Sequence, residues 1–254
     1  MKRKTEKRRK DYWLFRILRG LVWLFSPKFQ IYGLENLPEE PCIIAGNHSH
    51  MYGPIAGELY FPGKLKIWCN HEMMYLKEVP AYTFYDMWAH KPHWWTWPFC
   101  KILSYLIAPL SVCLFRNAKT IPVYRDNRII TTFRKTVESL SNGENIIIFP
   151  EHYTPRNNII YDFQNRFIDV AKLYYKRTGK ALSFVPMYIA PKLKSIYLGE
   201  PVPFDPEQPM DAERERISEE LMVRITDIGT SLPLHTVIPY PNVSKKHYRK
   251  NKEG

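Results

Sequence analysis

Residues 42–54 read CIIAGNHSHMYGP. The apolar residues at the start of this stretch have the character of a buried strand that ends at Gly46. Two histidines, His48 and His50, follow in a polar turn, and an apolar-periodic segment typical of a helix begins after Pro54. A strand that leads through a polar turn into a helix is a common place for ligand sites in α/β proteins. This stretch therefore predicts an α/β fold with a site at the edge of its sheet.

The rest of the chain continues the alternation of apolar runs and helix-periodic segments. Apolar runs predict further strands at residues 29–34, 65–69, 121–123, 145–149, 183–188 and 194–198. Periodic segments predict helices at residues 12–25, 55–60, 128–140, 163–176 and 212–228. Such alternation favours a single α/β domain with a mostly parallel central sheet flanked by helices. We expect this domain at residues 29–235, between a basic leader with a helix (1–28) and a basic tail (236–254).

The net charge of +12 is concentrated at the two ends of the chain. Residues 1–10 contain seven basic side chains and one glutamate, and residues 245–254 contain five basic side chains and one glutamate. Basic tails on a nearly neutral body indicate contact with an anionic membrane surface or with nucleic acid. The four cysteines form no C-x2-C pair, which predicts reduced thiols.

Residues 12–25, YWLFRILRGLVWLF, predict an amphipathic helix. On a helix Arg16 and Arg19 share one sector, and apolar side chains cover the rest. The segment is shorter than the roughly 20 apolar residues that span a bilayer. It favours an interfacial anchor on the cytoplasmic face of a membrane, with a core-packing helix as the alternative. A second apolar segment, residues 102–114, is more typical of a buried or re-entrant helix, and Pro109 argues against one long straight helix there.

Reactive side chains follow three of the predicted strands. They are Asn47 with His48, then Arg125, then Glu151 with His152. Because the carboxyl ends of parallel strands share one edge of a sheet, we expect these groups to converge. A histidine there suits general-base chemistry, and an arginine suits a phosphate. The sequence contains no glycine-rich nucleotide loop, which argues against a nucleotide phosphate.

Four short blocks occur in a defined order. They are Asn47-His48 after an apolar strand, IPVYR at 121–125, FPE at 149–151 and VPM at 185–187. In this order and spacing the chain resembles the phospholipid/glycerol acyltransferase family, typified by 1-acylglycerol-3-phosphate acyltransferase, over about residues 30–200. The segment FQNRF at 163–167 also stands where that family has F-K-x-G.

The resemblance implies an enzyme that moves a fatty acyl group from a thioester to a hydroxyl of a lysophospholipid or glycerol phosphate. By position, His48 is the general base, Arg125 binds phosphate and Glu151 belongs to the substrate-binding block. Further substrate-binding candidates around these blocks are Asn47, His50, His152 and Arg156. The donor would be acyl-CoA or acyl carrier protein, and the acceptor lysophosphatidic acid or a related lipid. No metal or other cofactor is implied.

The chain departs from the family pattern at Gly53, which stands where the H-x4-D motif has its aspartate. In the family that aspartate orients the imidazole, and loss of an orienting carboxylate costs orders of magnitude in rate. We expect Glu58, in the following helix, as a replacement catalytic carboxylate. Glu72, Asp86 and Glu151 stay open for the same role.

The third block also departs from the family. Residues 152–155 read HYTP where the family has Gly-Thr-Arg-Ser, so Arg156 would be a shifted equivalent of the family arginine. Arg125 has a structural alternative as the ion-pair partner of Asp126 or Glu151. We expect no metal site, because no ligand spacing supports one among His48, His50, His71 and His152.

Two other functions stay open beside acyl transfer. The first is a catalytically impaired relative that binds lipid without turnover. The second is a nucleic-acid-binding protein that uses the basic tails. The nearly neutral body and the apolar anchor argue against nucleic acid as a partner.

Overall fold

The computed structural model describes residues 12–88 and 94–252. These residues belong to two compact units. The smaller unit takes its described residues from Met1–Ser26 and Cys69–Val123, and the larger unit from Pro27–Trp68 and Tyr124–Gly254. The predicted basic leader at residues 1–10 lies outside the described residues. The predicted boundaries at 28/29 and 235/236 stay predictions.

Helices and strands alternate along most of the chain. The helices are α1 (Tyr12–Phe25), α2 (Tyr52–Tyr60), α3 (Val79–Met87), α4 (Trp97–Asn117), α5 (Ile129–Ser141), α6 (Asp169–Thr178) and α7 (Met210–Ser231). The strands are β1 (Gln30–Tyr32), β2 (Ile43–Gly46), β3 (Leu65–Asn70), β4 (Thr120–Val123), β5 (Asn145–Ile148), β6 (Glu151–Pro155), β7 (Tyr161–Phe163), β8 (Ser183–Ala190), β9 (Ser195–Leu198) and β10 (Val202–Pro203).

The larger unit is built on a mostly parallel sheet with the order β1-β9-β8-β2-β5-β3, and β10 also pairs with β8. The pairs β1·β9, β8·β2, β2·β5 and β5·β3 are parallel, whereas β9 and β10 run antiparallel to β8. Helix α5 packs against β5, and α7 packs against β8. The predicted α/β class with a mostly parallel central sheet flanked by helices is therefore confirmed.

The central strands are apolar along their length because both faces of the sheet are covered. Ile43 and Ile44 of β2 and Ile146 and Ile147 of β5 are completely buried. The register pairs Ala45 of β2 with Ile148 of β5. Both strands therefore end at the same edge, and the residues that follow them leave the sheet side by side.

A small hairpin follows β5. Strands β6 and β7 pair antiparallel, with Glu151 opposite Phe163. The predicted helix at 163–176 is therefore wrong at its start: a 3-10 turn covers Asn165–Ile168, and α6 begins at Asp169. The apolar pattern that predicted the helix starts at Phe163. This residue is buried as part of a strand and not as part of the helix.

In the smaller unit, α4 packs against α1 and α3. Helix α4 is continuous through Pro109 over 21 residues, so the proline does not end the helix. A proline inside a helix costs about 3 kcal/mol, and packing of α4 against its two neighbours offsets this cost. Helix α4 is long and apolar enough to cross a membrane, and only 22% of its most apolar stretch is buried.

Candidate functional site

The turn after β2 is held in place by the side chain of Asn47. Its Oδ1 accepts a hydrogen bond from the Ile189 N–H (2.7 Å), and its Nδ2 donates to the Ile189 carbonyl (3.0 Å) and to Ser49 Oγ (2.8 Å). Backbone pairing between β2 and β8 ends at Gly46 and Met187, so the amide continues the pairing in place of the backbone. Asn47 is 2% exposed. The side chain therefore has a structural role, and its predicted role in substrate binding stays a prediction.

The next two residues adopt an unusual backbone conformation. Ser49 has φ 47° and His50 has φ 53°, both in the left-handed region. For residues other than glycine this costs of order 1–3 kcal/mol each, and such strain is concentrated at functional turns. The buried Ser49 hydroxyl donates to the Ile189 carbonyl (3.4 Å), which helps to hold the strained turn against β8.

Glu151 joins the turn after β2 to the hairpin after β5. Its Oε2 accepts a hydrogen bond from the His48 backbone N–H (2.5 Å), and its Oε1 accepts one from the Tyr161 N–H (3.0 Å). The side chain is 3% exposed. Burial raises the pKa of Glu151 to about 7, and the two hydrogen bonds act in the opposite direction.

This geometry gives Glu151 a structural role. Both carboxylate oxygens accept hydrogen bonds from backbone N–H groups, so the side chain clamps two loops together, and its predicted place in the substrate-binding block stays a prediction. The carboxylate also contacts the backbone N–H of His48 and not its imidazole ring. Glu151 therefore does not orient the imidazole in place of the missing aspartate.

The His48 imidazole lies between two aromatic rings. Phe149 is 5.2 Å away at an interplanar angle of 68°, and Tyr240 is 5.8 Å away at 75°. The Nδ1 atom is buried and has no hydrogen-bond partner among the described residues. Burial lowers the pKa of His48 to about 4. The ring is therefore neutral at pH 7, which is the protonation state that a general base requires.

The position of the missing aspartate is closed. A Cβ atom at Gly53 would lie 2.5 Å from the His48 carbonyl oxygen and 2.9 and 3.0 Å from two atoms of the Phe149 ring. The Gly53 N–H donates to the same carbonyl (3.2 Å). Phe149 and the backbone of the turn therefore leave no room for a side chain at residue 53.

Glu58 does not pair with the Nδ1 atom of His48, which has no partner in the part of the chain that the structure describes. Glu58 lies five residues beyond Gly53 on α2, which rotates it by about 140° around the helix. The expected replacement of the aspartate by Glu58 is therefore corrected: no carboxylate of the described residues binds this nitrogen.

Arg125 is exposed and makes no hydrogen bond or ion pair with another described residue. The alternative role as a partner of Asp126 or Glu151 is therefore wrong. Asp126 instead pairs with Arg128 (2.8 Å), whose guanidinium also lies over the Tyr124 ring. Arg125 is left available to an anionic ligand.

His152 and Arg156 lie on or next to the exposed side of the β6–β7 hairpin. His152 Nδ1 accepts a hydrogen bond from the Thr154 N–H (3.3 Å). Arg156 forms ion pairs with Glu219 of α7 and with Asp162 of β7. The structure does not bring either side chain into contact with His48, so their predicted roles in substrate binding stay predictions.

His50 contacts the C-terminal segment. Its Nε2–H donates to the Pro241 carbonyl (3.1 Å), and the Tyr248 ring lies edge-on at 6.0 Å. The structure thus commits this nitrogen to a protein partner, and a role in substrate binding stays a prediction. No group of three or more histidine, cysteine, aspartate or glutamate side chains that would hold a metal occurs within residues 12–88 and 94–252.

Residues 235–252 contribute to the site, although the sequence predicted a basic tail from residue 236. This segment, which we call the C-terminal hairpin, packs on the rest of the larger unit and buries His235, Val237, Ile238 and Asn251. Tyr240 and Tyr248 within it contact the two histidines of the turn. In the sequence this packing is indicated only by the apolar pair Val237-Ile238 and by Tyr240 and Tyr248, which lie in a basic segment.

No family model and no curated protein matches this chain. Among solved structures, the chain is similar to the crystal structure of the 1-acyl-sn-glycerophosphate (LPA) acyltransferase, PlsC, from Thermotoga maritima. The similarity has a TM-score of 0.45 at 15% sequence identity and covers 86% of this chain and 81% of that chain.

Proposed function

We propose that this chain is an acyltransferase that moves a fatty acyl group from a thioester donor to a hydroxyl of a lysophospholipid or glycerol phosphate. The observation that carries the proposal is the junction of His48 and Glu151. The block that contains His48 and the block that contains Glu151 meet at the carboxyl edge of the sheet through the hydrogen bond from the His48 N–H to Glu151 Oε2. The His48 imidazole at this edge is neutral at pH 7. The order of the four blocks supports the same reaction class.

In the proposed reaction the neutral His48 ring accepts the proton of the acceptor hydroxyl. The hydroxyl oxygen forms a bond to the thioester carbonyl carbon, the carbon–sulfur bond breaks, and the proton leaves with the thiol. Arg125, exposed and unpaired among the described residues, would bind the acceptor phosphate. The donor would be acyl-CoA or acyl carrier protein. Because no carboxylate in the described part of the chain stabilises the imidazolium at Nδ1, we expect slow turnover.

Replacement of His48 by alanine tests the role of the base. We expect His48→Ala to reduce acyl transfer from acyl-CoA to lysophosphatidic acid by about a hundredfold or more, because general-base catalysis contributes at least that factor. Thin-layer separation of the radiolabelled product measures the rate, and circular dichroism checks the fold. His247→Ala, at an exposed histidine of the C-terminal hairpin, is the matched control. Unchanged activity of His48→Ala would contradict the assignment.

A second candidate function is lipid binding without turnover. The orphaned Nδ1 atom and the closed position at Gly53 favour it, because both weaken the base. In this case the wild-type protein would bind a fluorescent lysophospholipid, and His48→Ala would bind it equally well. Product formation by the wild-type protein would rule this candidate out.

We further propose that the smaller unit associates with the cytoplasmic face of an anionic membrane. Helix α1 buries only Phe15 among its residues, and Phe25 is 81% exposed. Exposed apolar side chains of α1 are Trp13, Ile17, Leu21, Trp23 and Leu24, and those of α4 are Phe99, Ile102, Tyr105, Leu106 and Leu110. Exposed apolar surface of this extent is typical of membrane or protein contact.

Aspartate substitutions on α1 test this association. We expect the double substitution Ile17→Asp and Leu24→Asp to weaken binding to vesicles containing phosphatidylglycerol by about tenfold or more, since each apolar side chain contributes about 1 kcal/mol or more when it inserts. Co-sedimentation with the vesicles measures the bound fraction. Val223→Asp, at an exposed position of α7 in the larger unit, is the control. Equal loss in both proteins would contradict an anchor on α1.

A further inference from the structure

We propose that Tyr240 is a positioning residue for His48, and that the C-terminal hairpin completes the site by covering the imidazole. The kinetic part of this proposal rests on the proposed function, in which His48 is the base. The structural part does not, because it concerns only where the ring lies and how much water reaches it.

The base of the hairpin is anchored to the end of α7 within the larger unit. Asn251 Nδ2 donates to the carbonyls of Gly229 (2.8 Å) and Leu232 (3.2 Å) at the end of α7, and its Oδ1 accepts from the His235 N–H (2.9 Å). Inside the hairpin the Val237 N–H donates to the Arg249 carbonyl (2.9 Å). These contacts bring the two arms of the hairpin together.

A second anchor connects the hairpin to the sheet. The hydroxyl of Tyr188, in β8, lies 2.8 Å from His235 Nε2, and His235 Nδ1 lies 2.8 Å from the Pro233 carbonyl. Because the carbonyl can only accept, Nδ1 carries the hydrogen and the tyrosine donates to Nε2. The hairpin is therefore joined by buried hydrogen bonds to the strand that also holds the turn after β2.

The tip of the hairpin lies on the histidine turn. Tyr240 contacts the His48 ring and also lies 5.3 Å from the Tyr153 ring and 6.4 Å from the Tyr161 ring. The next residue, Pro241, accepts the hydrogen bond from His50. Tyr240 is thus fixed between the β6–β7 hairpin and the histidine turn.

This packing restrains the orientation of the His48 ring, which is the role of the missing aspartate in the family motif. Nδ1 has no hydrogen bond within residues 12–88 and 94–252, and Phe149 on one side and Tyr240 on another contact the His48 ring. Phe149 follows β5 directly, so its place is set by the sheet. Tyr240 alone depends on the C-terminal hairpin, and its removal would admit water and free the ring to rotate.

Measurement of the His48 pKa by NMR tests the proposal without an activity assay. Among the described residues, the titratable groups next to His48 are His50 in the same turn, Glu151 from β6, which accepts the His48 backbone N–H, and Tyr240 itself. We expect Tyr240→Ala to raise the pKa of His48 by about one unit or more, because exposure to water removes the desolvation that lowers it. Tyr240→Phe retains the ring and should leave the pKa unchanged.

Two further variants separate positioning from general damage to the hairpin. Tyr248→Ala removes a neighbouring ring that contacts His50 and not His48, and should leave the His48 pKa unchanged. Tyr240→Leu keeps apolar bulk if the alanine variant does not fold, and should raise the pKa less than alanine. An unchanged His48 pKa in folded Tyr240→Ala or Tyr240→Leu would overturn the proposal.

Kinetics supply the second readout. We expect Tyr240→Ala to lower kcat for acyl transfer by about tenfold with little change in KM, since the acceptor is bound elsewhere, and Tyr240→Phe to restore kcat. A KM effect alone would overturn the positioning role. If the wild-type protein shows no acyl transfer, the proposed function fails, and the NMR result still decides whether Tyr240 covers His48.

Discussion

Replacing Glu151 with alanine is expected to lower the free energy of unfolding by about 3 kcal/mol or more. The substitution leaves two partly buried backbone N–H groups, those of His48 and Tyr161, without acceptors. Each unsatisfied buried donor costs about 1–3 kcal/mol. Urea unfolding followed by tryptophan fluorescence measures the change. A loss below about 0.5 kcal/mol would show that the clamp does not hold the two loops together.

A glutamine at residue 151 supplies a sharper comparison. The amide oxygen of Glu151→Gln accepts from one N–H group, but its NH2 group faces the second N–H. We therefore expect a loss of stability between those of wild type and Glu151→Ala. Glu215→Gln, at an exposed position of α7, is the matched control and should be nearly neutral.

The same variant changes how stability depends on pH. The pKa of Glu151 is raised from 4.5 to about 7 on folding, so its contribution to stability falls as the pH rises through this range. The pKa of His48 is lowered from 6.5 to about 4, so its contribution falls as the pH drops through that range. The two effects oppose each other between about pH 4.5 and pH 6.5. In Glu151→Gln only the effect of His48 remains. Urea unfolding should therefore show that the substitution lowers the free energy of unfolding, relative to wild type, by more at pH 5 than at pH 7.

Restoring the family motif with Gly53→Asp is expected to destabilise the protein by about 2 kcal/mol or more and to give no gain in acyl transfer. The Cβ atom would lie 2.5 Å from the His48 carbonyl oxygen, a distance that requires the backbone to move. That backbone is the turn that carries the proposed base. The aspartate would therefore displace the imidazole it is meant to orient.

Gly53→Ala is the matched variant, because it introduces the same Cβ atom without a carboxylate. We expect both variants to unfold at similar, lower urea concentrations than wild type. A stable Gly53→Asp protein with faster acyl transfer would show that the turn adapts to a side chain at residue 53. It would also favour an enzyme that lacks only its orienting group over a lipid-binding relative.

The amino-acid sequence by itself determined the α/β class and the place of the site in it. Apolar runs such as Ile146–Ile148 identify strands that are covered on both faces, and alternation with helix-periodic segments identifies a parallel sheet. Because parallel strands end at one edge, the meeting of His48 and Glu151 was also predictable. These features depend on local patterns, which a sequence displays directly.

Only the tertiary structure decided how the site is built. The hydrogen bond from His48 to Glu151 joins residues 103 positions apart, and that from His50 to Pro241 joins residues 191 positions apart. Burial and orientation at such separations depend on every element packed between them, so the sequence predicted neither the backbone clamp at Glu151 nor the cover formed by Tyr240. The consequence of Gly53 is of the same kind: its replacement of an aspartate is visible in the sequence, whereas the Phe149 ring and His48 carbonyl that close its position exist only in the packed structure.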